Sequence, residues 1–446
     1  MDNLEEIRKI RIEKLENLKK AGINAYPAEV LRTHTNKEAI NDFKKLANKR
    51  ITLVGRVRSI REHGGSTFAH IEDGSTSLTT SVQIQVYFKK DKIGEKKYKL
   101  FLENVDIGDF IQATGKLFLT KKGEKTLLVS DWKILTKSLL PLPSEWYGLE
   151  DVEERFRKRY LDLMINKEVK DKFIKRSEII KKIRKLLDEN GFLEVETPML
   201  QTMAGGANAR PFETHLNALD MDLYLRIAPE LYLKRLLVGG FEKVYELNRN
   251  FRNEGMDREH NPEFTMLEFY AAYWDYNKMM DFTEKLLGSL DKKVFGKKFK
   301  KAEYSKIVGN KDEKEVFAKI KEPTFIINHP IEISPLAKPL RQAQGKNQKV
   351  ERFQLIVNGL EIANGFSELN DPFDQVERFK AQEIERRGGN LEAHQYDKDF
   401  IEALEYGMPP AAGIGVGIDR LTVLLTNSRT VREIILFPTM KPKNND

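Results

Sequence analysis

The sequence predicts an α+β protein of two domains, in which a small β-barrel precedes a larger domain of mixed strands and helices. Three observations lead to this prediction. The chain has 446 residues, which is long for one compact domain. Residues 51–135 contain five short alternating or β-branched segments separated by turns. The residues after this region combine strand patterns with helical ones.

The composition indicates a protein with substantial cores. Hydrophobic residues make up 40% of the chain, and the net charge of +8 is compatible with an anionic partner such as nucleic acid, without requiring one. The chain has no cysteine, which excludes disulfides and thiolate metal sites. No apolar run approaches the roughly 20 residues of a membrane span, and the charged N-terminus is no signal peptide. We therefore expect a cytoplasmic protein with no membrane partner.

The first element is a helix over residues 3–20, which Gly22 and Pro27 end. It is either a solvated helix packed on a neighbour or a helix that contacts RNA. The five segments that follow suggest a closed barrel such as an OB-fold, whose sheet face often binds single-stranded nucleic acid. By composition alone, a purely structural barrel is as good an interpretation.

A linker with two prolines, "LLPLPSEWYGLED" (139–151), separates the domains. We place the boundary so that residues 1–145 form the N-terminal domain and residues 146–446 the second. In the second domain, an amphipathic helix ends at Gly191. Residues 223–240 predict a strand followed by a helix, and residues 353–369 predict a strand–turn–strand unit. Residues 413–427 predict a glycine-rich strand that runs into a helix.

A charged loop, within "FRNEGMDREHNPEFTMLEFY" (251–270), joins two predicted strands and carries both signs of charge. Arg252 and Glu254 are two residues apart at a strand end, so they share a face. An arginine fork suits a carboxylate or phosphate, and a carboxylate accepts from an amine or hydroxyl. Each residue alone is more often structural than functional. Together they suit a ligand that is itself both cationic and anionic.

A second cue is the stretch "GIGVGIDR", which places Arg420 at a helix start after Gly413, Gly415 and Gly417. The glycine spacing does not fit the dinucleotide fingerprint, and the chain has no Walker A motif. The glycines instead let a strand approach a ligand or its neighbours closely. With the charged loop, they suggest a nucleotide site.

These stretches resemble the class II aminoacyl-tRNA synthetases. Residues 251–268 resemble motif 2, residues 413–425 resemble motif 3, and "GFLEVETPML" with Pro198 resembles motif 1, the dimer interface of that class. Residues 205–255 and 360–372 resemble the bacterial type of the class IIb lysyl-tRNA synthetase family nearly residue for residue. The resemblance implies a homodimer whose catalytic domain is built on an antiparallel sheet flanked by helices, with a short insertion near 291–325.

The family's reaction is the activation of L-lysine by ATP to lysyl adenylate and the transfer of lysine to its tRNA. The resemblance assigns Arg252 to the α-phosphate and the amino-acid carboxylate, and Arg420 to the γ-phosphate, as the catalytic pair. The ATP-binding residues that it implies are Arg252, Glu254, His260, Asn261, Phe264, Glu361 and Arg420. The lysine-binding residues that it implies are Gly206, Glu230, Arg252, Glu268, Tyr270, Asn364, Phe366 and Glu368.

The implied lysine pocket is acidic, as an ε-ammonium requires. Glu368 and Tyr270 match the family's contacts to the ε-amine, whereas Glu230 and Gly206 match those to the α-amine. An uncharged isostere of lysine would leave buried acids unpaired, and such sites discriminate by about 10⁴-fold or more.

The magnesium site departs from the family pattern. In the family, two glutamates seven residues apart hold Mg²⁺ against the ATP phosphates; the second matches Glu361, but the first falls on Gln354. Mg²⁺ favours carboxylates and keeps several waters. We expect Mg²⁺ to bind mainly through Glu361 and the phosphates, and more weakly than with two carboxylates. Restoring the carboxylate at position 354 should then lower the Mg²⁺ requirement, unless the change is silent or marks an inactive paralogue.

In the barrel, the residues that match the family's anticodon contacts are Arg61, Phe68, Gln85 and Glu124. Phe68 would stack on a flipped-out base while the polar side chains read base edges. Phe68 could equally be a core residue. The segment between Asp73 and Gln85 is longer than in the family, which affects the alignment of Gln85.

Three other functions are compatible with parts of the sequence. An aspartate or asparagine synthetase of the same class would need a cationic pocket. Relatives that attach lysine-like groups to proteins lack the barrel domain. A catalytically weakened RNA-binding paralogue is disfavoured by the catalytic residues, apart from Gln354.

Overall fold

A computed structural model describes residues 2–74, 82–143, 151–309, 311–340 and 348–443. The chain forms two compact units, Met1–Asp171 and Lys172–Asp446. The expected domain boundary at 145/146 lies outside the described residues, as does most of the polar stretch 341–349, so that boundary stays a prediction. Within the described ranges, no helix is long and apolar enough to cross a membrane.

The strands of the first unit are β1 (Ile51–His63), β2 (Ser66–Asp73), β3 (Val82–Lys89), β4 (Phe110–Leu119) and β5 (Lys125–Thr136). Its helices are α1 (Asp2–Lys20), α2 (Asn36–Asn41), α3 (Phe43–Leu46), α4 (Lys90–Ile93), α5 (Glu95–Asn104), α6 (Val152–Arg157) and α7 (Arg159–Ile165). The strands close into a barrel in the order β1-β2-β3-β5-β4, in which only the β3–β5 pair is parallel among the described strands. The predicted five-stranded barrel is confirmed.

The N-terminal helix α1 packs on this barrel through Leu15 and Leu18, which are buried in the barrel's hydrophobic core. The Arg11 guanidinium fixes the helix by donating to the backbone carbonyls of Ile107, Ser138 and Leu140 at 3.0 Å. This contact accords with the interpretation of residues 3–20 as a helix packed on a neighbour.

The remaining elements belong to the second unit, except that α8 begins within the last residues of the first. The helices of the second unit are α8 (Lys167–Glu189), α9 (Glu230–Val238), α10 (Tyr276–Leu290), α11 (Lys292–Phe295), α12 (Tyr304–Ile307), α13 (Glu313–Phe317), α14 (Pro372–Arg387), α15 (Lys398–Glu405) and α16 (Ile418–Leu425). Its strands are β6 (Leu193–Glu194), β7 (Leu200–Gln201), β8 (Phe212–Leu216), β9 (Met221–Leu225), β10 (Lys243–Phe251), β11 (Glu263–Ala272), β12 (Lys300–Glu303), β13 (Thr324–Ile327), β14 (Arg352–Val357), β15 (Leu360–Ser367) and β16 (Ala411–Gly417). Two short 3-10 helices lie at Ile331–Ile333 and Val431–Ile434.

Eight of these strands form one sheet in the order β12-β13-β14-β15-β16-β11-β10-β6, and β7-β9-β8 form a smaller one. The large sheet is antiparallel except at its two edges, where β12 pairs with β13 and β6 pairs with β10 in parallel. Helices α8, α10 and α16 bury their apolar side chains on one face of this sheet. The expected antiparallel sheet flanked by helices is therefore confirmed, with parallel pairs added at its edges.

Candidate active site

Strand β11 divides its side chains between the main core and two cavities. Leu267 and Phe269 point into the core under helices α8 and α10, whereas Met266, Glu268 and Tyr270 line the opposite face. Successive side chains of a strand point to opposite faces of the sheet. The predicted strand "EFTMLEFY" thus has one apolar face in the core and one face, with Met266, Glu268 and Tyr270, that lines a cavity.

The first cavity, here called the acidic cavity, contains most of the side chains that were assigned to lysine. The residues from that set that line it are Gly206, Glu230, Arg252, Glu268, Tyr270, Asn364 and Phe366. Glu368 lies behind Gly413, which lines the same cavity, and its carboxylate is 1% exposed. The structure therefore brings all eight lysine-site residues together.

The acids of this cavity are held in an environment that favours their neutral form. Burial, and next the charge of Glu230, raises the pKa of Glu268 to about 8. The Tyr270 hydroxyl donates to Oε2 of Glu268 at 3.1 Å. Burial also raises the pKa of Glu368, and Lys234 opposes that rise. Oε1 of Glu368 is fully buried and has no hydrogen-bond partner within the described part of the chain. Such a group is costly unless a cationic ligand pairs with it.

A lysine of the protein itself occupies one side of this cluster. Nζ of Lys234 lies 2.6 Å from Oε1 of Glu230 and 2.5 Å from Oε2 of Glu368, and its side chain is fully buried. The sequence-based prediction missed Lys234. Its position four residues after Glu230 on α9 was a usable signal, because residues at that spacing are neighbours on a helix.

Two glycines make room for the acids. Gly206 has a φ of +86°, and a Cβ there would lie 2.9 Å from Cβ of Glu230. At Gly413 a Cβ would lie 2.2 Å from the Tyr270 ring and 2.4 Å from Oε1 of Glu368. The sequence-based view that the glycines of β16 allow close approach therefore describes Gly413 correctly.

Arg352 and His394 also line the acidic cavity and were missed. Nε of Arg352 donates to Oδ1 of Asn364 at 3.0 Å, and Nη1 donates to the Ile333 carbonyl at 2.7 Å. Arg352 lies two residues before Gln354 on β14, so strand periodicity pointed to it. Burial lowers the pKa of His394 to about 4, which leaves the ring neutral. No motif or periodic pattern in the sequence indicated this residue.

The second cavity adjoins the first and contains the residues that were assigned to ATP. The members of that set that line it are Arg252, Glu254, His260, Asn261, Phe264, Glu361 and Arg420. The two cavities share Arg252, Met266, Asn364 and Gly415. The guanidinium of Arg252 lies 5.1 Å above the Phe264 ring, and its buried Nε has no hydrogen-bond partner among the described residues. One cation is therefore available to ligands in both cavities.

Arg420 connects the other polar groups of the second cavity. Its Nη2 donates to Nε2 of His260 at 2.8 Å, and its Nη1 donates to the Glu361 carbonyl at 3.1 Å. Because an arginine only donates, Nε2 of His260 is the acceptor, and Nδ1 carries the proton toward the Asp257 carboxylate at 2.9 Å. The neutral His260 is thus fixed in one tautomer, with Arg420 oriented beside it.

Gln354 lies outside the second cavity, unlike Glu361. It lines neither of the two cavities, and its Oε1 lies 2.7 Å from Nε2 of the buried His329. Across the described ranges, no three His, Asp or Glu side chains are grouped so that they could hold a metal ion. Of the two positions assigned to Mg²⁺, the structure places Glu361 in the second cavity and Gln354 outside it; the metal role of Gln354 stays a prediction.

Known protein families and individual proteins match this chain over nearly its whole length. The family described as "tRNA synthetases class II (D, K and N)" matches residues 151–441, and "OB-fold nucleic acid binding domain" matches residues 51–135. A lysine–tRNA ligase of Carboxydothermus hydrogenoformans is 50% identical, with 99% of each chain covered. The chain belongs to the lysine–tRNA ligase family of class II tRNA synthetases. Lysine–tRNA ligases of Pelotomaculum thermopropionicum and Bacillus cytotoxicus are 47% and 43% identical, covering 99% and 98% of this chain and 96% and 97% of their own.

The anticodon contacts expected for the family lie together on the barrel surface. Arg61 on β1 is directly opposite Phe68 on β2, and the Phe68 ring stacks on Tyr87 at 4.3 Å between centroids. Nε2 of Gln85 donates to the Glu124 carboxylate at 2.8 Å. Gln85 thus lies beside Glu124, as the alignment with the family expected.

Two details of this surface differ from the expectation. Gln85 is buried and both ends of its amide are engaged within the barrel, because its Oε1 also accepts from Oγ1 of Thr126 at 2.8 Å. Its contact with Glu124 instead orients that carboxylate. His70, which was missed, holds the other Glu124 oxygen at 2.9 Å. Its spacing of two residues from Phe68 on β2 could have identified it.

Proposed function

We propose that the chain is an enzyme of protein synthesis that activates L-lysine with ATP and transfers the lysyl group to lysine tRNA. The observation that carries this proposal is the position of Arg252, which lines both the acidic cavity and the second cavity. In a reaction between an amino-acid carboxylate and an α-phosphate, one cation between the two sites can bring the anions together and stabilise the charge that develops. The names of the relatives, all lysine–tRNA ligases, support the same activity.

Lysine would lie in the acidic cavity. Glu268, Glu368 and Tyr270 would receive the ε-ammonium, and Glu230 beside Gly206 would receive the α-ammonium. Asn364 and Phe366 would form the wall. A pair of unit charges about 4 Å apart gains roughly 4 kcal/mol at an effective dielectric near 20, and desolvation offsets much of this gain. The unpartnered, buried Oε1 of Glu368 favours a cationic side chain over aspartate or asparagine.

ATP would lie in the second cavity, with the adenine ring on Phe264, with Glu254, His260 and Asn261 along the nucleotide, and with Arg420 at the γ-phosphate. The lysine carboxylate attacks the α-phosphorus, pyrophosphate leaves, and the acyl group of the adenylate then passes to the tRNA. Arg252 would neutralise the charge that develops on the α-phosphate. Catalysis here consists of positioning and charge stabilisation, since the attacking carboxylate has no proton to lose.

The donor set of the second cavity fits Mg²⁺ through one protein carboxylate. Glu361 is half-buried and lies 3.7 Å from Nη1 of Arg420. Mg²⁺ commonly binds one or two carboxylates together with substrate phosphates. Bound there, Mg²⁺ would supply additional positive charge for the phosphates of ATP.

The remaining parts of the proposal concern partners and location. Arg61, Phe68 and Glu124 on the barrel would contact the anticodon, with Gln85 and His70 fixing the carboxylate of Glu124. Two copies of the chain would associate through the segment around Pro198. A role in translation implies that the enzyme acts in the cytoplasm.

The decisive experiment is amino-acid-dependent exchange of pyrophosphate into ATP, with each of the twenty amino acids in turn. We expect exchange with lysine alone, followed by charging of lysine tRNA. Exchange with aspartate or asparagine but not lysine would overturn the proposal. Exchange with no amino acid would favour an RNA-binding paralogue that lacks catalysis.

A further inference from the structure

The proposed mechanism gives no role to a buried lysine that contacts two acids of the lysine site. Lys234 is fully buried on α9, and its Nζ lies between the carboxylates of Glu230 and Glu368. It also lies 5.2 Å and 5.9 Å from the ring centroids of Phe366 and Phe400. A lysine is rarely fully buried unless it is paired, and this lysine is paired twice.

Lys234 pairs with one oxygen of each of the two acids. Its Nζ contacts Oε1 of Glu230 and Oε2 of Glu368. The remaining oxygen of Glu368, Oε1, has no hydrogen-bond partner in the described part of the structure and lies against Gly413, which lines the acidic cavity. One oxygen of each carboxylate is thus held by Lys234, and the second oxygen of Glu368 remains for a ligand.

We propose that Lys234 is a positioning residue that orients Glu230 and Glu368 so that each presents one oxygen to an ammonium group of the substrate. This inference rests on the proposed function, because it assumes that lysine occupies the acidic cavity. Lys234 does not touch the reacting atoms. It links the α-amine subsite to the ε-amine subsite through a single cation.

The electrostatic reason is the crowding of acids. Burial is the first cause of the raised pKa of Glu230, Glu268 and Glu368. The charge of Glu230 raises the pKa of Glu268 and of Glu368 further, and Glu268 adds to the rise for Glu368, because like charges close together in a buried site oppose ionisation. Lys234 opposes that effect for Glu230 and Glu368. Burial by itself lowers the pKa of Lys234, but the two carboxylates raise it above its ordinary value, so the amine stays charged. The other titratable or charged groups around the cluster are Tyr270, Arg252, Arg352 and His394.

The test is Lys234→Met, which keeps the length of the side chain and removes the charge. We expect the kcat/KM for lysine in pyrophosphate exchange to fall at least tenfold at pH 7.5, with the KM for ATP unchanged. The pH at which kcat/KM for lysine is half-maximal should also move upward by about one unit, since Glu368 then ionises without its cation. The matched control is Lys243→Met, because Lys243 is likewise packed against two aromatic rings but lies outside both cavities.

Lys234→Met is also made in a protein that carries Glu230→Gln. This double variant provides a second measurement in case Lys234→Met alone does not fold. The Glu230→Gln protein has one buried acid fewer, so the loss of the lysine leaves less uncompensated charge. Relative to Glu230→Gln alone, the double variant should again show a lower kcat/KM for lysine and a higher pH midpoint. An equal loss at every pH, or an equal loss for ATP, would mean that Lys234 only supports the fold. If the wild-type protein shows no lysine-dependent exchange, the proposed function fails before this test begins.

Discussion

The side-chain oxygen of Gln354 on β14 lies 2.7 Å from Nε2 of His329, which follows β13. Burial, and next the charge of Arg352, lowers the pKa of His329 to about 3, so the ring is neutral. Because an oxygen faces it, Nε2 of the neutral ring donates to Gln354, and the amide accepts this proton without placing a buried charge there, as an ionised glutamate would. The glutamine therefore suits a neutral, buried histidine better than a glutamate would.

This pairing changes the expected magnesium dependence. Gln354→Glu should alter the Mg²⁺ concentration for half-maximal pyrophosphate exchange by less than about threefold, because the side chain at 354 is directed to His329. Glu361→Gln should raise that concentration about tenfold or more, since a charge-assisted contact of about 1.5–3 kcal/mol is lost. A marked fall with Gln354→Glu would show that position 354 reaches the metal, as the family pattern led us to expect.

Glu368→Gln should weaken the use of lysine and spare the use of ATP. The amide cannot form the charge-assisted contact with the ε-ammonium, and the loss of about 1.5–3 kcal/mol corresponds to a KM for lysine that is roughly ten- to a hundredfold higher. Steady-state exchange kinetics with each substrate varied will measure both constants. The control is Glu377→Gln on the exposed face of α14. A lysine KM within twofold of wild type would place Glu368 outside the binding site.

The pH dependence of lysine use follows from the raised pKa values. A carboxyl group with a pKa of about 8, such as Glu268, is neutral below that pH and charged above it. The ε-ammonium of lysine stays charged to about pH 10. The kcat/KM for lysine should therefore rise from pH 6.5 to about pH 8 and then level, while the KM for ATP changes little. A profile that is flat across this range would contradict the presence of a protonated acid in the free cavity.

Phe68→Ala should lower tRNA charging and leave adenylate formation intact. The ring lies on the barrel surface against Tyr87, and stacking of a base on an aromatic side chain is worth about 1–3 kcal/mol. Charging and exchange assays on the same preparation separate the two steps. Phe241→Ala, at an exposed position of the second unit, is the control. Equal losses in both assays would mean that Phe68 supports the fold.

The purified protein should be a dimer with twice the mass of the 51.7 kDa chain. Around Pro198, Leu193 and Leu200 leave about half of their side-chain surface exposed, and a twofold contact would bury the same patch on both copies. Light scattering at micromolar concentration measures the mass. Leu193→Lys with Leu200→Lys should favour the monomer, whereas Leu219→Lys, also exposed, should not. A monomeric wild type would contradict the proposed interface.

Local patterns were sufficient to predict most of the fold. The barrel strands were predicted because alternation is a property of neighbouring residues, and β16 running into α16 was predicted because its glycines precede a helical pattern. Helix α5 was missed. It contributes Tyr98 and Phe101 to the barrel core, but its remaining residues are mostly charged, and the pattern is too short to distinguish from a loop.

Site residues that belong to motifs were predicted from the sequence. Site residues whose positions depend on packing were missed. Arg252, Glu268 and Arg420 belong to long motifs, so their positions followed from the resemblance. The contact of Lys234 with Glu230 has a local signal in their spacing of four residues, but its contact with Glu368 joins residues more than a hundred positions apart. His329 reaches Gln354 only because β13 and β14 pair. These two long-range contacts are set by tertiary structure and leave no local signal.

Gly415 and Arg252 line both cavities. Where the two cavities join, a ligand would therefore contact the backbone of β16 and the guanidinium of Arg252. A stable molecule that joins a lysine-like diamine to adenosine through an uncleavable phosphate mimic could therefore fill both cavities at once. Joining the two halves should improve affinity by about 10²–10⁴-fold over either alone. The selectivity of such an inhibitor among synthetases would come from Glu368 and its neighbours, since the adenosine half is common to every enzyme that activates an amino acid with ATP.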